Sequence, residues 1–311
     1  MNKILITTSS FADSDSSIMK PIVRQRLHPV FNPYGRKLTE SELLNLVVTH
    51  QPIGLIAGTE PITANVIKAA TRLKVISRCG VGLDNVDVEY AHAAGIQIAY
   101  TPDSPSSAVK ELAIAFMFEG LRKISVSDRI VRSGQWSKTQ GKLLANQTVG
   151  VIGIGRIGKQ VAEFLHSYGC RVLGYEIRKL DLPWLRQVSL EELLRQSDII
   201  TLHVPNRPDT YHVINRQTLS LMKDDALIVN TARGEIIDEQ ALYEFLNSRP
   251  QAHACLDTFV EEPYIGPLAS LNNVTLTPHI GSFTLETRQE MEREAVNNLV
   301  QYLEVDRRLY G

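Results

Sequence analysis

Residues Gly153-Ile154-Gly155-Arg156-Ile157-Gly158 follow directly on an apolar run, Thr148-Val149-Gly150-Val151-Ile152. The run reads as a buried strand, and the glycine spacing dictates what comes next. The first glycine permits a tight turn, the second lets the backbone approach a pyrophosphate, and the third lets the following helix pack on the strand. That helix begins near Arg156, and its free N–H groups would hold the pyrophosphate. Such a loop alone is a weak signal. Here Arg171-Val172-Leu173-Gly174-Tyr175 reads as a second strand ending at Glu176, about 20 residues past the loop, where a carboxylate can accept both hydroxyls of an adenosine ribose. Strand, loop, helix and acid together predict a dinucleotide site, with Gly153, Gly155, Arg156, Ile157, Gly158 and Glu176 binding the cofactor. NAD is expected over NADP, because Glu176 would oppose a 2′-phosphate; Arg178, two positions on, pulls the other way.

At 311 residues the chain exceeds the size at which a single core usually stops growing, so two domains are expected. Ahead of the loop, Ile4-Thr7, Gly54-Ala57, Lys74-Ser77 and Ile96-Ala99 read as strands, separated by helices such as Thr39 to Val48 and Thr63 to Ala70. The rhythm implies parallel strands with crossover helices. It restarts at Thr148 and continues through Asp198-Val204, Ala226-Asn230, Ala252-Asp257 and Val274-Leu276, giving two α/β domains in series. Thr101-Pro102-Asp103-Ser104-Pro105 is the expected linker and hinge, since its prolines break regular structure. The boundaries are therefore placed at 1–100 and 101–284. Ala108 to Leu121 is apolar on almost every helical face, which predicts burial on both sides, at a subunit interface or between the domains. Thr287 to Asp306 has a long charged helical pattern.

Basic and acidic residues balance, 33 against 34, for a net charge of −1, which disfavours a nucleic-acid partner. Met1-Asn2-Lys3 leads straight into the first strand and no run approaches membrane-spanning length, so neither a signal segment nor a membrane is expected. Cys79, Cys170 and Cys255 are scattered singly, reading as reduced thiols of a cytoplasmic protein.

Three segments past the loop have compositions that packing alone does not require. Arg233 in Asn230-Thr231-Ala232-Arg233-Gly234, the acids of Asp257-Thr258-Phe259-Val260-Glu261-Glu262-Pro263, and His279 in Thr277-Pro278-His279-Ile280-Gly281 each follow a buried strand. All lie at the carboxyl edge, where ligands of open α/β sheets bind, and so face one cleft. Taken singly, each has an ordinary explanation as a helix-end charge, a solvated acid or a capped histidine. Their joint placement favours chemistry. A guanidinium can grip a substrate carboxylate through two parallel hydrogen bonds and polarise an adjacent carbonyl. An imidazole can exchange a proton with that carbonyl oxygen, while a glutamate on its other nitrogen fixes the tautomer and favours the protonated ring.

These segments, with Arg78-Cys79-Gly80-Val81-Gly82-Leu83-Asp84-Asn85-Val86-Asp87, resemble the D-isomer-specific 2-hydroxyacid dehydrogenases, most closely their phosphoglycerate dehydrogenase branch, from about Leu55 to Gly281. The resemblance implies two Rossmann-like domains with parallel sheets and an interdomain cleft, flavodoxin-like and dinucleotide-binding, the first completed by the C-terminal helix, 285–311. It implies NAD as cofactor, a homodimer made by the nucleotide domain, and Arg233, Glu262 and His279 as catalytic residues. Backbone amides of the segment from Cys79 to Gly82 would hold the substrate carboxylate, so Arg78, Cys79, Gly80 and Val81 join Arg233 as substrate-binding residues. Val204, Pro205, Thr210, Thr231, Asp257 and Gly281 complete the expected cofactor set. No metal is expected.

The substrate implied is a small 2-hydroxy or 2-keto acid, with 3-phosphoglycerate the best single expectation and glyoxylate or hydroxypyruvate the alternative. Departures bear on that choice. Gly58-Thr59-Glu60-Pro61 stands where phosphoglycerate enzymes commonly carry an arginine, and a glutamate there would repel phosphate. Arg78 remains a candidate phosphate contact, Lys138 after Trp136 is a second basic residue, and Lys110 stands where an alanine is usual. Relatives of this fold also serve as nucleotide-sensing transcriptional corepressors, a use that the arginine, glutamate and histidine set argues against.

Overall fold

The computed structural model describes residues 2–310, with side chains through Glu304, and forms two α/β units: Met1–Pro105 with Phe283–Gly311, and Ser106–Ser282. Residue 311, the end of the expected C-terminal helix, lies outside the described residues.

The first unit is built on β1 (Lys3–Ile6), β2 (His28–Phe31), β3 (Gly54–Ala57), β4 (Val75–Arg78) and β5 (Gln97–Tyr100). All pair in parallel, in the order β2-β1-β3-β4-β5, the flavodoxin-like order. Central β3 and β4 are buried at every position, as helices on both faces require. On one face lie α1 (Lys20–Arg24) and the C-terminal helix Leu285–Tyr310, whose Met291, Ala295, Val296 and Leu299 pack on Ile4, Ile6, Ile56 and Val75. On the other, α2 (Glu40–His50), α3 (Ala64–Ala69) and α4 (Val88–Ala93) set Leu43, Val47, Val66, Ile67 and Ala91 against Leu5, Leu55 and Ile76. Strand β2 was not expected from its sequence. It is a half-exposed edge strand carrying Pro29, which costs nothing there because its missing N–H would face away from the sheet.

The second unit is a seven-stranded parallel sheet in the order β12-β11-β10-β9-β6-β7-β8. Its strands are β6 (Thr148–Ile152), β7 (Arg171–Tyr175), β8 (Arg186–Gln187), β9 (Ile199–Leu202), β10 (Leu227–Asn230), β11 (His253–Leu256) and β12 (Val274–Leu276). The order reverses between β6 and β9, and ligands of such sheets bind at that switch point. Helices α5 (Ser106–Arg122) and α7 (Arg156–Ser167) cover one face, while α8 (Leu190–Gln196), α9 (Arg216–Leu219) and α10 (Glu239–Ser248) cover the other.

Within one chain, α5 is covered on one face. Ala113, Phe116, Met117 and Gly120 lie on the sheet and α7, but Glu111 and Ala115 are exposed. The helix leads through Lys123, with φ +51°, into α6 (Ile124–Arg132), of which no residue is buried.

Candidate active site

The turn from β6 into α7 is set by close packing. A β-carbon on Gly153, where φ is +89°, or on Gly158 would collide with backbone carbonyls, of His203 and of Gly153 respectively, so helix and strand can meet only over glycine. Gly155 differs: nothing lies within 4 Å of where its β-carbon would stand. As N-cap of α7 it offers no side-chain bond, whereas α2, α8 and α10 are capped by Thr39, Ser189 and Asp238. The start of α7, with Arg156 exposed and Ile157 half-buried, thus presents uncapped amides at the positive end of the helix beside open space, which suits a pyrophosphate.

Glu176 leaves the end of β7 and turns to this loop. Its Oε2 accepts from Ile154 N at 3.1 Å and its Oε1 from Ile177 N at 3.1 Å, while exposed Arg178 stands 4.0 Å away. After β9, Val204 packs over Gly153, and the Thr210 hydroxyl donates to Pro205 O at 2.6 Å and accepts from Arg207 N at 2.9 Å, pinning the next loop. Beneath it His203 is half-buried, its pKa pushed down to about 4 by desolvation of the ring, with Nε2 at 2.9 Å from the Thr201 hydroxyl. Among the described residues the buried hydroxyls of Thr231 and Thr258 have no hydrogen-bond partner, as polar atoms awaiting a ligand would. Open cradle, carboxylate and orphan hydroxyls fit NAD.

The ends of adjacent β10, β11 and β12 bring the reactive groups together. Asn230 Nδ2 donates to Arg233 O at 2.7 Å and its Oδ1 accepts from Ala232 N at 3.0 Å, folding the turn that presents Arg233. Arg233 Nη1 donates to Ala232 O at 2.7 Å. The following glycine, Gly234, lies so close to the Phe259–Val260 backbone that a β-carbon would strike it. The arginine turn therefore backs onto the loop that carries Glu262. Glu262 Oε1 accepts from Phe259 N at 3.3 Å, and both its oxygens lie 3.0 Å from His279 Nδ1. Glu239 braces the same loop by accepting from Val260 N at 2.9 Å, with its pKa raised by burial.

His279 is left-handed, φ +54°, a conformation that costs a non-glycine residue on the order of 1 kcal/mol. Asp257, 1 % exposed, holds that segment: Oδ1 accepts from Thr277 Oγ1 at 2.5 Å and Ile280 N at 2.7 Å, and Oδ2 from Gly281 N at 2.8 Å. The bracing by Asn230 and Glu239 was missed in the sequence, although an asparagine closing a strand before a turn is the pattern that side-chain-to-backbone bonding produces.

In the first unit the loop after β4 is placed differently from expectation. Arg78, 7 % exposed, folds its guanidinium beneath the loop and donates to Cys79 O; a β-carbon on Gly80, where φ is +148°, would strike it. Cys79 and Gly80 donate their amides to Ala57 O and Arg78 O, at 2.9 and 3.0 Å, while Val81 is exposed. Glu60 does not face outward to repel phosphate. It is buried, accepting from the Thr7 hydroxyl and, at 3.0 Å, from Gly58 N, because those donors at the ends of β1 and β3 require a partner. Lys138 is exposed beside exposed Trp136, and Lys110 is half-buried.

Known proteins resemble this chain in sequence and in fold. The family described as D-isomer specific 2-hydroxyacid dehydrogenase, NAD binding domain, matches residues 114–281. A hydroxypyruvate reductase of Thermotoga maritima is 38% identical over 272 residues, 85% of this chain and 89% of that protein. A D-3-phosphoglycerate dehydrogenase of Methanocaldococcus jannaschii is 40% identical over 266 residues, 81% of this chain but 49% of that protein. A crystal structure of a Thermus thermophilus protein superposes with a TM-score of 0.88 at 34% identity, covering 97% of each chain.

Proposed function

The chain belongs to the D-isomer specific 2-hydroxyacid dehydrogenase family, NAD-dependent oxidoreductases acting on a CH–OH group, and from that premise we propose that it reduces a small unphosphorylated 2-keto acid of the hydroxypyruvate or glyoxylate type. The observation that carries the substrate class is the burial of Arg78 beneath its own loop, bonded to Cys79 O. A phosphate needs exposed cations, and the residue expected to supply one is turned inward; buried Glu60 adds no arginine in its place. This departs from the 3-phosphoglycerate expectation.

Bound NADH supplies the hydride. Arg233 grips the substrate carboxylate and polarises the keto oxygen. His279 Nδ1 faces Glu262, so Nε2 is the nitrogen that passes its proton to that oxygen. Glu262 fixes the ring's orientation and offsets the charge of the protonated ring. Glu176 binds the adenosine ribose, with Val204, Pro205, Thr210, Thr231 and Gly281 around the cofactor. The protein acts as a homodimer in the cytoplasm. Exposed Ile124 and Val131 of α6, Trp136 at 87 % and Leu143 form the apolar surface of the second unit that a partner copy would cover.

The test is initial-rate kinetics with NADH over hydroxypyruvate, glyoxylate and the keto acid of 3-phosphoglycerate. Preference for the unphosphorylated acids is expected; preference for the phosphorylated one overturns the substrate class.

A further inference from the structure

A histidine that must hand over a proton has to be held to within a fraction of an ångström, yet its own backbone resists the required shape. His279 sits in the left-handed region, and the turn around it is closed within the segment only by its N–H donating to Thr277 O at 3.0 Å. What over-determines the turn comes from outside: Thr277 N donates to Leu256 O at 3.0 Å, and the remaining bonds to the segment's backbone go to one side chain on that neighbouring strand end. Asp257 takes one hydroxyl and two backbone amides from Thr277, Ile280 and Gly281, the residues on both sides of His279. Gly281 is fitted to that contact: a β-carbon would stand 3.0 Å from Asp257 Oδ2, tight enough to push the loop away. Asp257 is itself anchored, its amide donating to Asn230 O at 2.9 Å, the residue that folds the Arg233 turn.

We infer that Asp257 is the positioning residue of the acid/base histidine, a carboxylate staple that holds the segment from Thr277 to Gly281 so that His279 meets both Glu262 and the substrate. This goes beyond the cofactor contact expected for Asp257 from sequence. Three of the four acceptor sites of the carboxylate are engaged by the loop. Burial raises its pKa, and the bonds from Thr277, Ile280 and Gly281 oppose that rise, as they would for a charge kept to bind loop donors.

The inference rests on the assignment of His279 as proton donor, and the test separates the two. Asp257→Asn replaces one oxygen by an amide that cannot accept, so at least one loop donor loses its partner whichever way the amide turns. Its kcat for keto-acid reduction is expected to fall by ~30-fold or more, with the NADH Kd, read by fluorescence titration, within about twofold of the unmodified protein. Thr277→Val removes one bond and should lower kcat by about fivefold, with Thr277→Ser restoring it. His279→Asn is measured alongside. An Asp257→Asn protein whose Kd for NADH rises about tenfold while kcat at saturating NADH stays normal makes Asp257 a cofactor contact and overturns the staple. So does normal kcat in both Asp257→Asn and Thr277→Val while His279→Asn is inactive. Should Asp257→Asn fail to fold, equal kcat in Thr277→Val and the unmodified protein also overturns it. Normal turnover by His279→Asn instead removes the parent assignment.

Discussion

His279, Glu262 and Arg233 make claims that single substitutions can check. His279→Asn keeps the size of the ring's polar edge but cannot titrate, so kcat should fall by ~10² or more while NADH still binds, as read by steady-state rates and fluorescence titration. Glu262→Gln keeps a bond to Nδ1 at 3.0 Å but removes the anion, and kcat should fall by less, about tenfold. Arg233→Lys should lower kcat/KM by more than about fivefold, ~1 kcal/mol, because an ammonium cannot reproduce the planar fork. A smaller loss would place the substrate carboxylate elsewhere. At this scale the sequence was legible where residue order alone mattered. Arg233, Glu262 and His279 each follow a strand, and the parallel sheet carries them to one edge. It was not legible where orientation mattered. Arg78 and Glu60 turn inward because unsatisfied backbone and hydroxyl groups around them demand partners, which no local pattern announces.

Among the elements, β9, β10 and β11 could be read from sequence because every position is buried and each strand carries only one polar residue, Thr201, Asn230 or His253. Strand β2 hides behind Pro29 and β8 is two residues long, so neither carries a run to detect, while α6 carries an apolar stripe with Ile124 and Val131 that the chain itself leaves uncovered. The strand ends also hold a liability in acid. His203 just after β9 is half-buried and His253 at the start of β11 is buried, and desolvation of the rings pushes both pKa values down to about 4 from 6.5. Unfolded, each would bind a proton below about 6.5; folded, neither does until near 4. The unfolded state therefore gains protons first, and stability is full above 6.5 and declines as pH falls toward 4, by up to ~1.4 kcal/mol per pH unit for each histidine. Urea melts at pH 7 and pH 5 should show this loss, and His253→Gln should reduce the difference between the two pH values. An undiminished difference would remove His253 from the account.

For the whole molecule, assembly and substrate choice each carry a prediction. Trp136, almost fully exposed next to α6, is the natural probe of the proposed dimer: Trp136→Glu should shift the protein toward monomer in sedimentation equilibrium, and an unchanged mass would move the interface elsewhere. The two sheets were legible from the repeat of short apolar runs, and the second from its glycine loop. The substrate was not, because the 3-phosphoglycerate expectation came from the resemblance to one branch of the family, and the direction of its candidate phosphate contact, Arg78, only the folded loop decides. The central claim is reduction of an unphosphorylated 2-keto acid by NADH, and the ratio of kcat/KM for hydroxypyruvate to that for its 3-phosphorylated counterpart tests it most directly. The account predicts a ratio above about 10, more than ~1.4 kcal/mol in favour of the neutral tail. A ratio below 1 would mean that a phosphate site exists which the buried Arg78 does not provide, and would contradict it.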